Sequence, residues 1–203
     1  MRRKIIKNSR RCYLTMGAIY DFEPEKLILG VIYSDKTVFN EAMAIIKERF
    51  GEFDAECEEF SFSEDFSTYY DDELGGKGIR KIYSFEKLVN PALQVEIKEF
   101  TNELEKKFSE GGNRKINLDP GFINHGRLML PTTKAAGFRI PLARGIHTEL
   151  TLFYARGAWH KFPWSYRDYQ SERVQKFLTA ARRKYLEQRK KLNSTVKPSK
   201  SNI

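Results

Sequence analysis

Leu27-Ile28-Leu29-Gly30-Val31-Ile32-Tyr33 is an unbroken apolar run rich in branched side chains, the pattern of a central strand buried on both faces. Thr37 then offers a helix cap. Phe39, Met43, Ile46 and Phe50 follow at intervals of three and four, and Gly51 closes the segment, which predicts one amphipathic helix. Phe53 to Phe62 and Gly78 to Leu88 read as antiparallel strands joined by a long acidic loop, with Ile79, Lys81, Tyr83 and Phe85 on one parity. Asn90-Pro91 is a cap followed by an N1 proline. Leu93, Ile97, Phe100, Leu104 and Phe108 continue a second helix, for which Gly111-Gly112 is the predicted stop.

The next third of the chain is strand-rich: Arg114 to Phe122, Arg127 to Thr133, Phe138 to Ala143 and Ile146 to Tyr154, separated by glycines. Ser171 is placed to cap a last helix carrying Val174, Phe177, Leu178, Ala181 and Tyr185. The order strand, helix, strand, strand, helix, strand predicts an α+β fold. Its core is a ferredoxin-like split βαβ unit, extended by an antiparallel meander and the C-terminal helix. One domain over residues 16–192 is expected, with a basic extension at 1–15 and a disordered basic tail at 193–203. Met16 precedes the first convincing strand, so translation starting there is an alternative to Met1.

Composition narrows the class without naming a reaction. The chain has 203 residues, 40% of them apolar and 31% charged, as in a soluble globular domain. No apolar run reaches the roughly 20 residues a membrane-spanning helix needs. Cys12 and Cys57 form neither a disulfide framework nor a metal-ligand spacing and fit a reducing cytoplasm. The net charge of +9 divides into +6 over residues 1–11, +7 from Arg182 onward, and so −4 between them. Basicity therefore belongs to the ends, which act either as solvated tails or as arms for RNA or acidic partners.

Asn117-Leu118-Asp119-Pro120-Gly121-Phe122 is where the sequence becomes distinctive. The pattern includes Leu29-Gly30-Val31-Ile32-Tyr33-Ser34, Tyr69-Tyr70 with Glu73-Leu74-Gly75, Thr132-Thr133-Lys134, Arg139-Ile140, Glu149-Leu150-Thr151-Leu152, and Pro163-Trp164-Ser165-Tyr166 with Asp168-Tyr169. As a set these resemble the bacterial and archaeal family named domain of unknown function 4416, with departures at Phe138 and Arg167. The resemblance implies size, fold and a cytoplasmic location, and it assigns no activity. Relatives are sometimes labelled GTP-binding. Here neither Gly75-Gly76-Lys77-Gly78 nor Gly111-Gly112 supplies the GxxxxGK[ST] loop that wraps a nucleotide's phosphates.

Strand parity supplies the sharpest chemical lead. Ile116 and Leu118 fall on one face of their strand, and Lys115, Asn117 and Asp119 on the other. The same division in the neighbouring strands collects Asn117, Asp119, Thr132, Lys134, Arg139, His147 and Glu149 on one side of the late sheet. Two carboxylates between two cations suit a phosphorylated ligand, nucleotide or nucleic-acid-derived, held directly or through Mg²⁺ at Asp119 and Glu149. Those two are the catalytic and metal-ligand candidates; Asn117, Thr132, Lys134 and Arg139 are the ligand-binding ones. A polar face turned to water gives the same alternation.

Two further segments hold candidates. Tyr70 and Glu73 lie in the acidic loop Glu64 to Gly76, which reads otherwise as solvated. Trp164 and Tyr166 lie in Trp159 to Tyr169, where aromatics beside Lys and Arg can stack on bases or pack as a lid between sheet and helix. The competing reading is a non-catalytic RNA or protein interaction module that works through its basic termini.

Overall fold

A computed structural model describes residues 20–195. In chain order the elements are β1 (Glu25–Tyr33), α1 (Lys36–Phe50), β2 (Phe53–Glu56), β3 (Phe60–Ser61), α2 (Phe62–Asp65), α3 (Asp71–Leu74), β4 (Ile79–Val89) and α4 (Gln94–Lys107). Then come β5 (Ser109–Glu110), β6 (Asn113–Arg114), β7 (Ile116–Ile123), β8 (Arg127–Thr132), β9 (Ile140–Ala143), β10 (Ile146–Ala155), β11 (Ala158–Lys161) and α5 (Glu172–Thr195).

The main sheet runs β11-β10-β8-β7-β1-β4-β2, with β3 on β4 and β9 on β10. Each of its strand pairs is antiparallel. The chain is thus α+β, built on a large antiparallel sheet with a C-terminal helix. Every residue of β1 is buried, as its unbroken apolar run requires of a strand covered on both sides. Leu27, Leu29, Val31 and Tyr33 face α1 and α4 together with Ile116 and Leu118. Ile28 faces the other way, with Ile82, Leu128 and Leu130, beneath Val174, Phe177, Leu178 and Ala181 of α5. Period-2 alternation in the strands and helical periodicity in α1, α4 and α5 therefore generate three layers.

Several local expectations are corrected. Asp35, not Thr37, caps α1: its carboxylate accepts from the Thr37 and Val38 N–H groups. Asn90 does accept from Ala92 N–H, but the first turn after it is a tight one over Pro91–Leu93 before α4 begins. That helix ends at Lys107, and Gly111 and Gly112 turn the β5–β6 hairpin with φ of 58° and 86°. Ser171 spends its hydroxyl on the Asp168 carbonyl. The acidic loop folds into α2 and α3, and Asp71 accepts from Ser63 Oγ and Gly78 N–H.

Strand β11, inside the aromatic segment, was not foreseen. Its hairpin turns on Arg156 and Gly157, both at positive φ, as a tight primed turn demands. At the C-terminus α5 carries Arg182 onto the Tyr154 ring and Arg189 onto Glu23, so this basic stretch is part of the fold. Helix also extends through Asn193–Thr195, where a disordered tail was expected. The basic extension at 1–15 and the tail beyond residue 195 lie outside the described residues. Among the described residues no helix is long and apolar enough to cross a membrane.

Candidate functional site

Strand β7 pairs with β1 along its whole length, from Lys26↔Ile123 to Tyr33↔Ile116. With β8 it pairs only at Phe122↔Met129 and Ile123↔Leu128, because β8 leaves to follow β10. The first half of β7 consequently has an unpaired edge beside a gap. Two side chains of α4, seven residues apart and so on one helix face, complete that edge. Glu105 Oε1 accepts the Leu118 N–H at 2.6 Å, and Lys98 Nζ donates to the Leu118 carbonyl at 3.1 Å. Pro120, two residues on, directs its missing N–H to the same edge, where no strand needs it. Gly121 sits where the strands still touch: a Cβ there would come within 2.7 Å of Leu130 and 2.8 Å of Ile28.

The gap opens into a cavity of about 540 Å³. Across its floor lies Arg80 of β4, only 2% exposed. Arg80 stands opposite Ile32 of β1, and Gly30, one step along the same face of β1, stands opposite Asp119 of β7. The guanidinium therefore crosses over Gly30 towards Asp119, and a Cβ on Gly30 would meet Nη2 at 2.7 Å. Arg80 Nη2 is 3.0 Å from Asp168 Oδ2, close but off the hydrogen-bond direction; Nη1 is 4.0 Å from Asp119 Oδ2. The Tyr169 ring centroid lies 5.4 Å from Cζ. Nε and Nη1 have no hydrogen-bond partner, and neither has the Tyr169 hydroxyl, although all three atoms are buried.

A polar relay holds the rest of the wall. Glu73 grips Arg114 bidentately at 2.6 and 2.8 Å, and Arg114 Nη1 donates to Glu105 and to Asn117 Oδ1. Asn117 Nδ2 donates to Asp119 Oδ2 at 2.6 Å, and Lys98 Nζ lies 3.3 Å from Oδ1. Burial by itself would raise the Asp119 carboxyl, but Lys98, Arg80 and the Asn117 hydrogen bond outweigh it and leave Asp119 below its ordinary value. Asp168 shifts the other way, because its burial outweighs Arg80. Burial, then Asp119, raises the Tyr70 phenol; burial, then Glu149 and Asp119, pushes Tyr166 up to about 12. Their O–H groups stay protonated at neutral pH.

Of the residues predicted from sequence, Tyr70, Asn117, Asp119, Thr132, Lys134 and Tyr166 line this cavity. Glu73 stands one contact behind, through Arg114. Glu149 and Arg139 do not join them. Arg139 Nε pairs with Glu149 Oε2 at 2.8 Å, its Nη1 and Nη2 go to the Lys134 carbonyl and the Tyr166 hydroxyl, and Glu149 is 1% exposed. The expected Mg²⁺ pair of Asp119 and Glu149 is thus not brought together in the cavity, since Asp119 lines it and Glu149, outside it, is engaged by Arg139. Among the described residues no group of three or more His, Cys, Asp and Glu is placed to hold a metal ion.

Trp164 is also outside the cavity. It stacks between Phe138 and Phe162 at 4.7 and 5.0 Å and donates to the Leu150 carbonyl, closing the open edge of β10 between β9 and β11. Ser165 anchors the same stretch to the Thr151 carbonyl. That anchoring hangs the tight turn Asp168–Gln170 over Arg80.

Sequence reasoning missed Arg80, Asp168 and Tyr169 as site residues, and with them the α4 pair Lys98 and Glu105. Arg80 carried a signal: it shares its strand parity with Ile82, which is 0% exposed, so a cation was entering a buried face. The family model Domain of unknown function (DUF4416) matches residues 23–185. No curated protein and no solved structure matches the chain.

Proposed function

Since the chain belongs to the DUF4416 family, which prescribes no chemistry, we propose a function from the cavity itself: it binds a phosphorylated small molecule, a nucleotide or nucleic-acid-derived. The observation that supports this most is the Arg80 guanidinium, buried at the cavity floor with Nε and Nη1 unpartnered. A buried donor without a partner costs free energy, and a charged donor more, so a site of this kind is completed by an acceptor. Phosphate oxygens meet a planar guanidinium with matching geometry.

The remaining wall fits the rest of such a ligand. Lys134, which makes no ion pair among the described residues, supplies a second cation at the rim, and Tyr70, Tyr166 and Tyr169 supply ring faces and hydroxyl donors. Asp119, held ionised, accepts from a ligand hydroxyl. The cavity volume lies in the ordinary range for small-molecule sites. We place the protein in the cytoplasm on the same footing, Cys57 being a buried free thiol.

The test is calorimetric titration of the full chain with orthophosphate, ribose 5-phosphate, adenosine monophosphate and adenosine. At least one phosphorylated compound is expected to bind and adenosine not to, with the affinity greatly reduced in Arg80→Lys. Binding by none of the phosphorylated compounds, or equal binding to Arg80→Lys, would overturn the reading.

A further inference from the structure

At the other end of β7 and β8 lies a second cavity, of about 610 Å³, with walls that include Val95, Met129, Leu142 and Tyr185. At its edge sits Glu25, the first residue of β1, 4% exposed. Glu25 Oε1 is saturated, accepting from Asn124 Nδ2 at 2.9 Å and Arg127 Nη2 at 2.8 Å. Oε2 is buried and has no partner. Several other polar groups of the wall are spent internally. The Thr148 hydroxyl donates to Gln94 Oε1, Gln94 Nε2 donates to the Pro91 carbonyl, and Glu23 is paired with Arg189.

We propose that this second cavity binds a small organic amine, its ammonium on Glu25 Oε2 and its apolar body against Val95, Met129 and Leu142. An ionised carboxylate oxygen only accepts, so the missing partner is a donor, and anionic ligands are excluded. A cation is favoured over a neutral hydroxyl. Burial raises the Glu25 carboxyl in spite of Arg127, so one arginine under-compensates the charge and a second positive donor relieves it. The site uses no residue of the phosphate cavity and stands independently of that reading.

Benzylamine is the probe, titrated into the full chain, with benzyl alcohol and benzoate as controls. Saturable one-site binding of benzylamine is expected, with both controls at least tenfold weaker. Glu25→Gln keeps an acceptor for Asn124 and Arg127, so the fold persists, and it weakens benzylamine at least tenfold. Leu142→Trp, at a position 39% exposed, crowds the cavity while leaving Glu25 unsubstituted and also abolishes binding. Arg80→Lys leaves it unchanged. The proposal is overturned if benzylamine does not saturate, if benzoate binds as well as benzylamine, or if Glu25→Gln binds with wild-type affinity.

Discussion

Arg80 and Arg139 both face a buried carboxylate, Arg80 itself buried and Arg139 partly so, yet they end in opposite states. Arg139 is complete: its Nε, Nη1 and Nη2 each donate to a separate partner, Glu149, the Lys134 carbonyl and the Tyr166 hydroxyl. Arg80 meets Asp168 obliquely and Asp119 only at 4.0 Å, leaving Nε and Nη1 unpartnered beside a cavity. A saturated pair holds a fold together and leaves nothing for a guest. Charge alone would have ranked the two equally; the count of satisfied donors separates them.

Removing a partner from the complete pair gives the largest effect on stability. Glu149→Ala removes the buried Nε partner of the partly buried Arg139 and is expected to cost about 3 kcal/mol, the low end for breaking a buried pair. Thermal melting should show a fall of roughly 10 °C, with phosphate-ligand affinity retained in the folded protein. A melting point within 2 °C of wild type, roughly the shift of a surface substitution, would mean that Arg139 finds another partner. At the incomplete pair the effect falls on binding instead. Arg80→Lys keeps the charge and removes the guanidinium fork, and titration should show affinity lower by roughly 30- to 100-fold, on the order of 2–3 kcal/mol.

Gly30→Ala sharpens the contrast without touching either charge. The new methyl meets Nη2 at 2.7 Å and displaces the guanidinium, so stability should fall by about 1–3 kcal/mol and ligand affinity with it. Arg139 has no such dependence on Gly30, and a variant with wild-type affinity would show that Arg80 need not lie where it does.

The smallest effect is on pH dependence, and its sign differs between the two carboxylates around Arg80. Asp119 has a depressed folded pKa. Its contribution is present above the unfolded value of about 3.9 and is lost as pH falls through the lower folded value. Asp168 has a raised folded pKa, so its contribution is present below about 3.9 and is lost as pH rises through the folded value. In melting curves against pH, Asp119→Asn should flatten the acid limb below about pH 4, and Asp168→Asn the decline that begins above it. Both variants changing the same limb would contradict the assignment.

Much of the fold follows from local pattern. The buried run of β1, the parity that sends Ile116 and Leu118 inward while grouping Asn117 with Asp119, and the helical spacing of α1, α4 and α5 are all present in the order of residues. The cavity is not, because it depends on where β8 parts from β7, and the register between two strands is a tertiary fact. Alternation could therefore group Asn117, Asp119, Thr132 and Lys134 correctly and still add Glu149 and Arg139, which point to each other. Arg80 is easily passed over because Ile79, Lys81, Tyr83 and Phe85 stand out on the other parity of β4, whereas Arg80, Ile82 and Ser84 are all buried.

The central claim is that Arg80, and not Arg139, receives the phosphate. Side-chain nitrogen NMR of the full chain during titration with adenosine monophosphate or ribose 5-phosphate reads this directly, with each Nε–H resonance assigned by its Lys variant. The account predicts that the Arg80 Nε–H resonance moves to saturation while that of Arg139 stays in place. An Arg139 resonance that moves while Arg80 is still, or two that never move, would contradict it.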